Sequence, residues 1–160
     1  MQLSTRGRYA VMAMVELADR EAATARGRCR PICLAEIAAR QRLSLAYLEQ
    51  LFARMRRAGL GRSTRGPGGG YSLARAPEGL SIGEIVAAVH EPIHATSCRS
   101  AIGCIADSHG HAAKCQTHDL WAELGRQIQL FLGSITLADV LADRVAGRAA
   151  RIPAAVHSAV

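Results

Sequence analysis

The stretch GRSTRGPGGGYSLAR, residues 61–75, leaves the chain little choice of local structure. Four of the five residues from Gly66 to Gly70 are glycine and the other is Pro67, which together demand a tight turn. Short strand-like pieces flank that turn, so the segment reads as a β-hairpin. Its tip exposes backbone N–H groups and admits close approach of another backbone. Arg62 and Arg65 make the tip basic. A glycine-rich loop can instead cradle a nucleotide phosphate. Neither G-x-x-x-x-G-K-[ST] nor a strand, G-x-G-x-x-G, helix succession is present, however.

What precedes the hairpin decides its use. LAEIAARQ, residues 34–41, reads as a short helix with Leu34, Ile37 and Ala38 facing inward. Ser44 then stands where an N-cap belongs. Leu48, Leu51, Phe52 and Met55 follow at i, i+3, i+4 and i+7, one apolar stripe of an α-helix. The other face carries Tyr47, Glu49, Gln50, Arg54 and Arg57, and Gly59 is placed to end the helix. Two helices joined by a short turn, the second amphipathic with polar residues near its start, read as a helix-turn-helix. An ordinary helical hairpin is the alternative for this pair alone. A basic glycine hairpin directly after it argues for a wing that lies on DNA phosphates or in the minor groove. Upstream, TRGRYAVMAMVELAD (5–19) is apolar on almost every side from Tyr9 to Ala18, a buried helix, and residues 20–33 read as a solvated loop.

Charge divides the chain in the same sense. Residues 1–75 hold 14 Arg and 5 acids, whereas residues 76–143 hold 3 basic residues and 8 acids. A basic head joined to an acidic body suits a polyanion-binding module with a regulatory or partner-binding part. No apolar run approaches a membrane span, and Glu16 and Asp19 interrupt the first apolar stretch too early for a signal peptide. The expectation is a cytoplasmic protein with no membrane partner. Its 5 cysteines, an odd number, lack the even framework of a small secreted fold, so metal ligation or redox sensing is expected of the clustered ones.

Beyond the wing, PEGLSIGEIVAAVHE (77–91) reads as a helix capped by Ser81, with Ile82, Ile85, Val86 and Val89 buried. Further on, Leu120, Leu124, Ile128, Phe131, Leu132 and Ile135 keep helical spacing over about four turns. A stripe that long in a small chain calls for a second copy, so a homodimer is expected. Packing back on the chain's own head is the alternative. Between these helices, residues 97–121 hold Cys98, Cys104 and Cys115 with His109, His111 and His118. Three thiolates and one imidazole suit tetrahedral metal, and ligand chemistry alone favours structural zinc. Gaps of five and ten residues are wider than a zinc knuckle and wrap more easily around a 2Fe–2S cluster; only Cys115 and His118 form a tight x₂ pair.

Taken together, STRGRYAV, SLAYLEQLF, RGPGGGY and CQTHDLW resemble the IscR-type iron–sulfur cluster regulators, within the bacterial Rrf family of winged-helix transcription factors. The similarity runs from Met1 to about Leu141. It implies a mainly α fold with a small β wing, a winged helix-turn-helix plus a long dimerisation helix. It divides the chain into a DNA-binding domain (1–91), a cluster-binding loop (92–118) and dimerisation helices (119–143), while residues 144–160, which show no clear periodicity, read as a disordered tail. It implies a homodimer binding double-stranded DNA through Ser44, Ala46, Tyr47, Glu49, Gln50, Arg54 and Arg57 of the recognition helix. The wing residues Arg62, Arg65, Gly66, Pro67, Gly68 and Gly69 complete that surface. Cluster ligands fall on Cys98, Cys104, Cys115 and His118.

The implied function is a transcription regulator, in the main a repressor, controlled by a 2Fe–2S cluster and acting on iron–sulfur assembly genes, with assembly proteins as cluster donors. A nitric-oxide- or iron-responsive repressor of the same family, and a zinc-stabilised DNA-binding protein without sensing, are the alternatives. No catalytic triad, paired carboxylates or nucleotide motif suggests an enzyme. Two features depart from the family pattern. Ten residues rather than five separate Cys104 from Cys115, which brings in His109 and His111 as rival ligands, and Cys29 and Cys33 have no counterpart and are read as bystander thiols. Glu49 is expected either to discriminate bases, by accepting from cytosine N4, or to pair with Arg54.

Overall fold

The computed structural model describes residues 5–24, 31–89, 105–106 and 112–147. Cys29, Cys98, Cys104, His109, His111 and the tail beyond residue 147 lie outside the described residues. The elements run α1 (Thr5–Thr24), α2 (Leu34–Gln41), α3 (Leu45–Arg57), β1 (Gly61–Thr64), β2 (Gly70–Leu73), a 3₁₀ turn (Pro77–Gly79), α4 (Ile82–Ala88), β3 (Ile105–Ala106), β4 (Ala112–Ala113), α5 (His118–Ser134) and α6 (Leu137–Leu141). The fold is mainly helical with a small antiparallel wing, as the sequence predicts.

Helix α1 lies at the centre. Ala10, Ala13, Met14 and Leu17 are fully buried, and α2, α3, α4, α6 and β2 all pack against it. The stripe of α3 points inward as its spacing predicts, with Leu48, Leu51, Phe52 and Met55 at 2% exposure or less. Phe52 meets Tyr71 of the wing edge-on at a centroid distance of 5.0 Å, so recognition helix and wing share one core.

Two boundaries differ from the sequence reading. Helix α1 continues to Thr24, through what reads as the start of a solvated loop. Tertiary ties hold the added turn. Arg20 bonds Glu16 one turn back at 2.7 Å and Glu36 of α2 at 2.6 Å, and Glu21 accepts the Leu73 N–H at 2.7 Å. The loop's far end is not solvated either. Ile32 is buried and exchanges two backbone hydrogen bonds with Tyr71, both 2.8 Å.

The second difference concerns the long apolar stripe. Helix α5 stops at Ser134, and Ile135 leaves the helix to become part of the head's core at 2% exposure. Here the chain pairs with the start of α4: Ile82 N–H donates to the Ile135 carbonyl at 2.8 Å and Leu137 N–H to that of Leu80 at 2.9 Å. Capping boxes built on Ser81 and Thr136 begin α4 and α6 on either side of this bridge. Such caps satisfy N–H groups that a helix start leaves orphaned. A Cβ on Gly83 would come within 3.0 Å of the Gly133 backbone, so α4 and α5 cross almost backbone to backbone. Leu137 is fully buried, and Val140, Leu141 and Val145 pack on the same core. The end of the segment read as a dimerisation stripe therefore closes the winged-helix core, the packing that the sequence left as the alternative.

Helices α2, α3 and α6 end in one backbone pattern. One residue in the left-handed region donates three positions back, and the next residue donates five positions back. In α3 that first residue is Gly59 (φ 72°), in α6 Asp143 (φ 52°) and in α2 Arg42 (φ 54°).

Phe52→Ala would open a cavity beneath the recognition helix and strip Tyr71 of its partner. It is expected to cost about 3–5 kcal/mol of unfolding free energy, measured by chemical denaturation.

Candidate nucleic-acid interface and ligand segment

The start of α3 stands clear of the core. Ser44 occupies the N-cap position and its carbonyl accepts the Leu48 N–H at 3.0 Å, but its hydroxyl makes no capping bond. Ser44, Ala46, Glu49, Gln50 and Arg57 are exposed. Tyr47 is half-buried, edge-on to Tyr9 of α1 at 6.2 Å, which braces the polar face of α3 from its own head. Among the described residues no ion pair reaches Glu49.

Arg54 goes elsewhere. Its Nη1 donates to the Val89 carbonyl at 3.1 Å, at the C-terminal end of α4. The last carbonyls of a helix lack intrahelical partners and carry partial negative charge, which favours a cation there. The pairing of Glu49 with Arg54 that the sequence allows is not formed, and Arg54 is a link between α3 and α4.

The wing pairs β1 with β2 in the register Gly61↔Leu73 to Thr64↔Gly70. Gly66 (φ 102°) and Gly68 (φ 79°) need the left-handed region, and a Cβ on Gly70 would collide with the Ile32 backbone. The glycines thus serve a turn at the tip and, at the first residue of β2, a close approach to Ile32. Arg62, Arg65, Gly66, Pro67 and Gly68 are exposed, while Gly69 is half-buried and donates to the Gly66 carbonyl at 2.8 Å. Arg56 ties α3 to β1 through a 3.2 Å bond to Ser63 Oγ. Sequence reasoning missed Arg56, although its place next to Arg57 in the last turn of the recognition helix carried the signal. Glu21 clamps the wing from α1: burial pushes its carboxyl up, and the N–H bond from Leu73 draws it back down.

Of the four expected cluster ligands, Cys115 and His118 fall within the described residues. Cys115 is half-buried, with Sγ 3.6 Å from Thr117 Oγ1. His118 is buried at 6% exposure as the first residue of α5, and its N–H donates to the Cys115 carbonyl at 3.0 Å. One turn thus carries a soft sulfur donor and an imidazole, a donor pair that suits iron or zinc. Among the described residues no group of three or more potential ligands assembles. Strands β3 and β4 pair Ile105 with Ala113 and Ala106 with Ala112. Both short strands lie between the second and third cysteines in the chain. Cys33 is exposed at the start of α2. No helix among the described residues is long and apolar enough to cross a membrane.

Comparison with known proteins gives one family. The model described as "Rrf2: Iron-dependent Transcriptional regulator" matches residues 3–143. The HTH-type transcriptional regulator IscR of Erwinia tasmaniensis is 43% identical over 141 residues, 88% of this chain and 79% of the relative. Among solved structures, T. potens IscR is 36% identical with a TM-score of 0.65, covering 89% of this chain and 88% of that one. CymR, the global cysteine regulator of B. subtilis, is 30% identical with a TM-score of 0.69, covering 89% and 98%. The family model and the Erwinia tasmaniensis relative are named for regulation of transcription and not for catalysis.

The Glu21 clamp has a pH signature. A carboxyl raised by folding contributes stability that is present below its unfolded titration range and lost as pH rises through the raised folded value. The parent is therefore expected to lose stability relative to Glu21→Gln as pH rises through the carboxylate range. Glu21→Ala, which leaves the Leu73 N–H without an acceptor, is expected to cost about 1–3 kcal/mol. Denaturant titrations of the three proteins across pH check both.

Proposed function

Because the chain belongs to the Rrf2 family of winged helix-turn-helix transcription regulators, we propose that it is a homodimeric, cytoplasmic repressor whose grip on DNA is set by a bound 2Fe–2S cluster. The observation that carries this reading is the junction of two parts in one small fold. An exposed α3 face and glycine wing form the head, and a Cys–His turn stands at the foot of α5. In this reading Ser44, Ala46, Tyr47, Glu49 and Gln50 enter the major groove, with Arg57 at the far end of the same helix. Arg62, Arg65, Gly66, Pro67, Gly68 and Gly69 lie on the backbone beside it. Arg54 supports this surface from behind through Val89.

Cys98, Cys104, Cys115 and His118 would hold the cluster. When bound, it supplies a labile, redox-active tie among those three thiolates and one imidazole. His118 presents its ring at the first turn of α5, and Cys115 holds that turn through its carbonyl. Ile105 follows Cys104 in the chain and pairs with Ala113, two positions before Cys115. This pairing favours Cys104 and Cys115 as members of one site despite the ten residues between them. The exposed Leu120 (61%) and Leu130 (45%) on α5 support a second copy as the cover for that helix. Iron–sulfur assembly genes are the proposed targets, with assembly proteins as cluster donors, by extension from the IscR relatives. The Cys115–His118 donor pair also suits zinc, which favours a second reading, a zinc-stabilised DNA-binding protein without sensing.

Anaerobic purification with visible absorption and a count of iron and sulfide per chain separates these readings. Serine at Cys98, Cys104 or Cys115 is expected to abolish the visible absorption while the head stays folded, and His118→Ala to alter it. A protein carrying one zinc and no iron under iron-replete expression would refute the cluster. On DNA, Arg65→Ala is expected to weaken binding to all sequences and lower the salt slope by about one unit. Glu49→Ala is expected mainly to relax base choice at one position per half-site, by about 1–3 kcal/mol of discrimination. Competition binding across substituted duplexes at several salt concentrations measures both.

A further inference from the structure

Three helices of this chain close with the same pair of backbone hydrogen bonds, and the residue that each places in the left-handed region differs. Gly59 does so without strain, because it has no Cβ. Asp143 is a type enriched there several-fold. Arg42 is neither. Its N–H donates to the Ala39 carbonyl at 3.4 Å and the Leu43 N–H to that of Ala38 at 2.9 Å, so the motif fixes Arg42 at φ 54° and ψ 41°. A Cβ-bearing residue without a short polar side chain is disfavoured in this region. Glycine would close the same turn with less strain.

Local structure offers Arg42 no return for that strain. It is exposed, and among the described residues no ion pair or side-chain hydrogen bond involves it. The other cation at this end of α2, Arg40, already pairs with the buried carboxylate of Glu16 at 3.3 Å. What distinguishes Arg42 is its place. It forms the turn of the helix-turn-helix, two positions before Ser44, where the first helix of such a motif passes the phosphate backbone and the second enters the groove.

We infer that Arg42 is a phosphate contact, held by a strained turn at the mouth of the recognition helix. The inference rests on the DNA-binding reading and adds a residue to it. An exposed guanidinium carried there meets the backbone beside the groove that α3 enters, while Arg62 and Arg65 approach from the wing. Its contribution is sequence-independent: it adds affinity and salt dependence, not base choice.

The test uses the full chain, mixed-sequence duplex DNA, and the variants Arg42→Gly and Arg42→Lys, with anisotropy titrations at several salt concentrations and a thermal melt of each protein. Arg42→Gly is expected to melt no earlier than the parent and to bind about tenfold more weakly. Its slope of log affinity against log salt should fall by about one unit. Arg42→Lys, which keeps the charge, is expected to keep the parent's slope. A glycine variant with the parent's affinity and slope would overturn the assignment. So would one that melts earlier while binding with the parent's slope, since Arg42 would then serve the end of α2. If the parent itself shows no salt-dependent binding to duplex DNA, the DNA reading fails and the assignment of Arg42 falls with it.

Discussion

Helix α1 is held only because something covers it on nearly every side. Ala10, Ala13, Met14, Leu17 and Ala18 are at 1% exposure or less, a surface no isolated helix could leave in water. The cover comes from α2 and α3, from β2 of the wing, from α4 and from α6, elements drawn from most of the described chain. Small residues at positions 10, 13 and 18 let these neighbours come close, while Met14 and Leu17 fill the space between them. The relative placement of recognition helix and wing follows, because both rest on the same buried helix. Glu16 adds the polar counterpart. It is buried at 6% exposure, bonded by Arg20 and Gln41 and paired with Arg40 of α2, so α1 fixes the helix-turn-helix by charge as well as by packing.

Much of this was legible in the sequence because the signals are local. The i, i+3, i+4, i+7 spacing of Leu48, Leu51, Phe52 and Met55 describes a helix whatever surrounds it. The glycine cluster describes a turn for the same reason, and Ser81 was readable as a cap. What escaped depends on partners distant in sequence. The last turn of α1 was hidden because Arg20 and Glu21 look solvated until Glu36 and the Leu73 N–H are brought to them. Ile135 fits the stripe of α5 by spacing, yet a backbone bridge to the start of α4 removes it from the helix. Spacing cannot report such a bridge.

The candidate site shows the same division. Ser44, Glu49 and Gln50 are exposed where the helical wheel puts them. Arg54 sits on that wheel too, but the nearest helix terminus, not the solvent, decides where its guanidinium goes. Arg56 and Arg42 were overlooked for opposite reasons. Arg56 is one of several arginines in a row and becomes distinct only through Ser63. Arg42 becomes distinct only through its backbone angle, which composition does not reveal.

The bridge between Ser81 and Thr136 has a mechanical consequence. It pins one end of α5 to the head, and the near-contact of Gly83 with Gly133 leaves almost no slack at that end. Seventeen residues of helix extend from there, about 25 Å at the usual rise. The segment therefore acts as a lever arm with its pivot at the head and its far end at the buried His118. A tilt of a few degrees at the pivot carries the imidazole through about 2 Å. A pull on that imidazole likewise returns as torque on the backbone beneath α4, whose far end holds Arg54 of the recognition helix.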